Sequence, residues 1–366
     1  MMRTSSFDRW LVTFALLAVI AGAVWHFVKS NRSASEQKPA RTGSIAPNSD
    51  DFHPYHIASV PRPTDGPPEQ EIRLERLPRA KIEAWLAGHH RDAMSLLTAF
   101  RALNDTNYLI EAAANFPNNP QVELAVLAHN EFPADRRKWL DLFKASSRSN
   151  SLANYLSAQD FLQNGNTDAA VQELLVAGGK SQFDTYIIEN TLDSENLYLS
   201  SGVSPGMSAT FAANRDIMSE DYPELETFKR LARAIRDAQQ QYLNAGDSNS
   251  AANLAQMGMQ LGKQIESGDS GKYLINQFVG LAIESIVLQQ LNPNTSYDFL
   301  GGQTPSQITQ QHKQQKLALR PTLSAFDALR PSLTDDEIAD YYKRKEIYGE
   351  VEAMKRTIQQ HPPTNP

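Results

Sequence analysis

The pentapeptide Gly202-Val203-Ser204-Pro205-Gly206 has the Gly-x-Ser-x-Gly spacing of a nucleophile elbow. It follows Asn196–Ser200, the best strand candidate in the chain. An elbow stabilises its oxyanion through the backbone N–H of the residue after the serine. Here that residue is Pro205, which has no N–H, so acyl transfer at Ser204 is excluded on chemical grounds. Asp50, Asp51, His53 and His56 offer the ligand types of a divalent metal, but they lie in a Pro-rich stretch with no scaffold to converge them. His89 and His90 follow Gly88; adjacent helical residues point about 100° apart, so one ion does not easily take both. There is no His-Glu-x-x-His, no Gly-x4-Gly-Lys-Ser/Thr and no Cys. Carboxylate pairs such as Asp335 and Asp336 are explained by helix capping. No catalytic residue, cofactor or metal is expected, and the chain is read as a non-enzyme.

The elements that must position any function begin at Trp10–Val28, WLVTFALLAVIAGAVWHFV, which contains no Asp, Glu, Lys or Arg. At about 1.5 Å per residue such a helix nearly matches a hydrocarbon core of roughly 30 Å. Trp10 and Trp25 sit near its ends, where indoles favour the membrane interface. We read residues 1–29 as a signal-anchor. A cleaved signal peptide is the alternative, since Ala21-Gly22-Ala23 fits the small-x-small rule, although cleavage there leaves Val24, Trp25, Phe27 and Val28 exposed. Lys29, Arg32, Lys38 and Arg41 outnumber Arg3 and Arg9, but long domains translocate largely regardless of flanking charge. The expectation is a single-pass membrane protein with its body outside the cytoplasm, periplasmic in a bacterium.

Residues 30–68 are polar and carry Pro39, Pro47, Pro54, Pro61, Pro63, Pro67 and Pro68, the composition of an extended linker. A net charge of −7 over 366 residues argues against nucleic acid as a partner. From Glu69 the good helix formers Ala, Leu, Gln, Glu and Lys dominate, with apolar residues recurring at three and four. Gly165-Asn166, Gly178-Gly179, Gly246-Asp247 and Gly268-Asp269 read as stops; Thr304-Pro305-Ser306-Gln307 and Thr334-Asp335-Asp336-Glu337 read as capping boxes. The fold class is all-α: an irregular helical-hairpin solenoid over 69–331, behind the membrane helix and the linker.

The clearest hairpin is Ser151–Lys180, with Ala158 and Phe161 before the turn at Gly165, and Ala170, Leu174 and Ala177 after it. This segment resembles a tetratricopeptide repeat. The resemblance implies that Ala158 and Ala170 let two helices approach while Phe161 and Leu174 fill the space between neighbours. Asn154 and Ser157 depart from it, standing where the family prefers Trp and Leu. Weaker echoes run from Trp85 and Gly88 to Ala93, and from Tyr242 and Gly246 to Ala251, about 80 residues apart rather than 34. Such an array would present Asn154, Ser157, Gln159 and Asp160 on a concave binding surface.

Tyr273–Leu291 is apolar but carries Asn276, Gln277, Glu284, Gln289 and Gln290, so it reads as a buried helix of a soluble fold rather than a second span. Beyond the break at Arg330-Pro331, residues 332–366 hold one expected amphipathic helix, Thr334–Gln360, striped by Ile338, Tyr341, Tyr348, Val351, Met354 and Ile358. Tyr341, Tyr348, Val351 and Met354 are the candidate interface; simple packing on the body is the other reading. The functional expectation is a membrane-anchored helical-repeat scaffold that binds protein partners. A helical-fold enzyme with an unrecognised site and a subunit of a cell-envelope assembly are the alternatives.

Overall fold

Capping chemistry divides the chain into helices. Asp92, Asp105, Asn119, Asn166 and Asp247 each accept a backbone N–H of the helix they open, and Thr304 and Thr334 close reciprocal capping boxes with Gln307 and Glu337. At the other ends Asn104 and Asn130 take the left-handed conformation that terminates a helix. The computed structural model describes residues 76–204, 209, 210, 212–214, 216 and 223–362, with side chains from 227 onward in the last stretch. The expected membrane helix with Trp10 and Trp25, the linker, and Asp50, Asp51, His53 and His56 lie outside these residues.

The helices are α1 (Arg79–Gly88), α2 (Ala93–Leu103), α3 (Thr106–Asn115), α4 (Pro120–His129), α5 (Arg136–Ser146), α6 (Leu152–Gln163), α7 (Thr167–Gly178) and α8 (Ile187–Ser200). They continue as α9 (Pro223–Asn244), α10 (Ser248–Ile265), α11 (Leu274–Leu288), α12 (Pro305–Leu329), α13 (Asp335–Tyr348) and α14 (Glu350–Gln360). Among the described residues there is no strand, only one isolated parallel bridge between Asn150 and Gln182. The fold is all-helical. Asn196–Ser200 is the last turn of α8 rather than a strand: burial recurs at Ile187, Asn190, Thr191, Ser194, Leu197 and Tyr198, the three-and-four spacing of a helix.

Sequential packing builds the body. Each helix from α1 to α6 packs on the next, α9 packs on α10 and α11, and α10 packs on α11. Helices α6 and α9, and α7 and α10, meet directly although α8 lies between them in sequence; α8 packs back on α1 and α2. One apolar cluster runs from Leu77 to Ile308 and includes Leu96, Phe100, Phe143, Tyr155, Phe228 and Ile283. Helices α10 and α11 approach closely because Gly258, Gly262 and Gly280 lie at their contact. A Cβ on Gly280 would stand 2.6 Å from the Gly262 carbonyl oxygen.

No described helix is long and apolar enough to cross a membrane. Helix α11 instead buries Asn276 and Glu284 with its apolar residues, and Asn276 donates to the Ser270 carbonyl. The C-terminal segment differs from the single helix expected. It turns at Gly349, whose φ of 87° and ψ of 160° suit glycine alone, and α14 folds back on α13. This hairpin shares a second cluster with α11 and α12: Leu274, Phe326, Leu333, Tyr341, Ala353 and Met354.

Candidate functional site

Ser204 is exposed in the loop after α8, so a helix stands where an elbow requires a strand. Pro205 and Gly206 lie outside the described residues. His89 is tied to its own helix, its Nδ1 2.8 Å from the Trp85 carbonyl and its ring 4.3 Å from the indole. His90 occupies a left-handed position in the turn. Among the described residues no three His, Cys, Asp or Glu side chains converge as a metal cage would require.

The repeat-like residues all fall in the α6–α7 hairpin. Ala158, Ala170, Leu174 and Ala177 are buried, and Gly165 turns between the helices with φ of 73°. Phe161 is half-buried beneath the Arg137 guanidinium, 4.5 Å from its ring centre. Asn154, Ser157 and Gln159 do not line an open surface, as the concave-face reading requires; they are buried. Asn154 and Ser157 both donate to Glu173 on α7, Arg137 reaches Ser157 at 2.7 Å, and Lys144 reaches Glu173 at 2.7 Å. A buried polar network thus stands where the resembled repeat uses Trp and Leu; its partners come from α5 and α7, and Asn154 Oδ1 and Arg137 Nε are left without one. Asp160 is held by Arg136 and Arg137.

The C-terminal stripe divides. Tyr341 and Met354 are enclosed in the second cluster and Val351 is half-buried against it. Tyr348 is 49% exposed, and its neighbour Ile347 is 62% exposed. These two border an open cleft of about 420 Å³ between α13 and α14, completed by Asp340, Lys343, Arg344, Arg356, Gln359 and Gln360. Arg356 lies 3.9 Å from the Tyr348 ring centre and bonds Glu352; Arg344 bonds Gln360 at 2.5 Å and Asp340 at 3.3 Å. Three cations face one carboxylate in the lining, on a protein whose net charge is −7. The sequence reasoning passed over Ile347, Lys343, Arg344 and Arg356. The available signal was the spacing Asp340, Lys343, Arg344, Ile347, Tyr348, which puts all five on one face of a helix.

A second group of ionisable residues joins α10, α11 and α12. Glu284 on α11 meets His312 Nε2 on α12 at 2.9 Å, both buried. Ser285 Oγ lies 3.4 Å from His312 Nδ1 but donates to the Leu281 carbonyl at 2.7 Å. The hydroxyl proton is therefore committed to the helix, and the Ser–His–Glu sequence of contacts is not arranged for nucleophilic attack. Glu266 packs over Gly280, one oxygen buried without a hydrogen-bond partner. Burial, then the Glu284 carboxylate, push Glu266 up to about 7.

Compared with known proteins, the chain matches no family model, no curated protein and no solved structure.

Proposed function

We propose that this chain is a membrane-anchored helical-repeat scaffold that captures an acidic segment of a partner protein on its C-terminal hairpin. The cleft between α13 and α14 carries this reading. Lys343, Arg344 and Arg356 give it positive charge, while Ile347 and Tyr348 leave apolar surface in water beside them. That combination fits a peptide with carboxylates and one or two apolar side chains, the ring and the guanidinium stack offering a flat contact.

The body supports a solenoid like that of tetratricopeptide repeats. Helix-pair turns occur at Asn104, Asn130, Gly165 and Gly246. Asn130 and Gly165 stand about 35 residues apart, the order of a two-helix repeat. The wider step to Gly246 contains α8 and residues 201–222, and the direct packing of α6 on α9 and α7 on α10 closes that gap. In this proposal Trp10–Val28 anchors the chain, residues 30–68 hold the body off the bilayer, and the body faces away from the cytoplasm.

The test is site-specific photocrosslinking in membranes, with the reactive group at Ile347 and, as a control, at the exposed Val176 on α7. A discrete protein adduct at 347, lost in Lys343→Glu/Arg356→Glu, is expected. Equal labelling at both positions, or labelling indifferent to the charge reversal, would remove the support.

A further inference from the structure

Asp160 lies where three helices meet: α6, which carries it, packs on α5 and on α9. Its carboxylate faces Arg136 Nε at 3.5 Å and Arg137 Nη1 at 3.3 Å, both from α5. These are longer separations than a charge-assisted hydrogen bond prefers. Arg230 of α9 stands close enough for its charge to act on Arg136. Burial pulls the Arg136 guanidinium below the usual arginine range; Asp160 opposes that shift, and repulsion from Arg137 and Arg230 adds to it. Asp141 also reaches Arg137, at 3.4 Å, but it is largely in water and shared with Lys144. Three guanidiniums thus gather around one enclosed carboxylate.

Several of their donors are not spent on the protein. Arg136 Nη1 donates to the Leu127 carbonyl at 3.0 Å, and Arg230 Nη2 donates to the Thr227 hydroxyl at 3.1 Å. Among the described residues, Arg136 Nη2 and the Nε and Nη1 of Arg230 make no hydrogen bond. Arg230 is exposed and Arg136 and Arg137 are half-buried, so the group is reachable from solvent. The backbone adds charge of the same sign. Arg136 and Arg137 open α5 at the positive end of its dipole, with no acid in the first turn and no side-chain cap.

We propose that Arg136, Arg137 and Arg230 form a binding site for a phosphate group, held chiefly by the uncommitted donors of Arg136 and Arg230. The three cations exceed Asp160 by two charges, which a phosphate dianion matches and a single carboxylate does not. Guanidiniums suit such a ligand because their forked donors meet phosphate oxygens in pairs. Free phosphate and a small phosphomonoester present the same chemistry to the site. The site shares no residue with the α13–α14 cleft and does not rest on it.

Isothermal titration of the detergent-solubilised full-length protein, in chloride buffer near pH 7.5, tests the site with inorganic phosphate and with phenyl phosphate. Saturable binding is expected, weakened at least tenfold in Arg230→Ala. Arg230 is exposed, so that variant keeps its fold, which circular dichroism checks. Arg148→Ala, at an exposed arginine outside the group, should bind as wild type does. Phenyl phosphate binding more tightly than inorganic phosphate identifies a phosphomonoester as the ligand; binding no more tightly identifies free phosphate. The proposal is overturned by any of three results: no saturable binding of either probe, equal affinity in wild type and Arg230→Ala, or acetate binding as tightly as phosphate.

Discussion

Glu266 shows how one buried carboxylate sets a pH dependence. Its ordinary value is 4.5, and the fold raises it to about 7 through burial and the neighbouring Glu284. The folded state therefore keeps a proton that the unfolded chain releases between those values. Its stability contribution is fully present below about 4.5 and is lost as pH rises through about 7. Glu266→Gln imitates the protonated side chain at every pH. Its melting temperature, matched to wild type near pH 4, should exceed wild type progressively toward pH 8; parallel curves would refute the assignment. Gly280 offers a steric counterpart. A methyl there would meet Glu266 Cγ at 2.4 Å and the Gly262 carbonyl at 2.6 Å. Gly280→Ala should lose roughly 1–3 kcal/mol of stability in urea titration, because the backbone on the other side does not yield as a side chain would.

At the scale of elements, the C-terminal hairpin depends on a single residue for its turn. Gly349 holds φ of 87° and ψ of 160°, and its Cβ position lies 3.2 Å from the Lys272 carbonyl oxygen. Gly349→Ala should cost about 1–3 kcal/mol. The loss should appear first as faster exchange in α13 and α14, with α6 and α7 unaffected. A uniform loss of protection would mean that the two clusters melt as one. Hairpin α6–α7 illustrates a different kind of dependence. Its apolar side could be read from the Ala and Leu spacing, whereas the polar side is satisfied only by Arg137 and Lys144 of α5 and Glu173 of α7. Asn154 and Ser157 look open to a ligand when read along one helix, because their partners lie about 16 to 20 residues away in sequence.

For the whole molecule, the C-terminal hairpin is a structural neighbour of α11 and α12 as well as a candidate docking element. Tyr341 and Met354 share a cluster with Leu274 and Phe326, and the Leu274 N–H donates to Glu350. Lys345 is buried beside the Tyr273 and Tyr342 rings and bonds Asn214, and burial pulls its ammonium below the usual lysine range. Ending the chain after Pro331 should therefore lower the melting temperature by more than a few degrees and raise binding of an apolar dye. Each large side chain in the lost contact contributes roughly 1.5–3 kcal/mol. An unchanged melting temperature would restore the reading of a separable arm.

The sequence by itself determined the helical class, the capping boxes at Thr304 and Thr334, and the turns at Gly165 and Gly246, because these depend on residues three to five positions apart. It also determined that Ser204 lacks the oxyanion donor, since that depends only on Pro205 following it. Tertiary structure alone decided which side of each helix meets water. The stripe through Tyr341, Tyr348 and Met354 was legible as amphipathic, yet the turn at Gly349 and the contact with Leu274 left only Tyr348 and Ile347 largely in water. Helix α8 was not legible at its end, where Asn196–Ser200 reads as a strand. That it lies against α2, some 90 residues earlier in the chain, depends on contacts that no local spacing records.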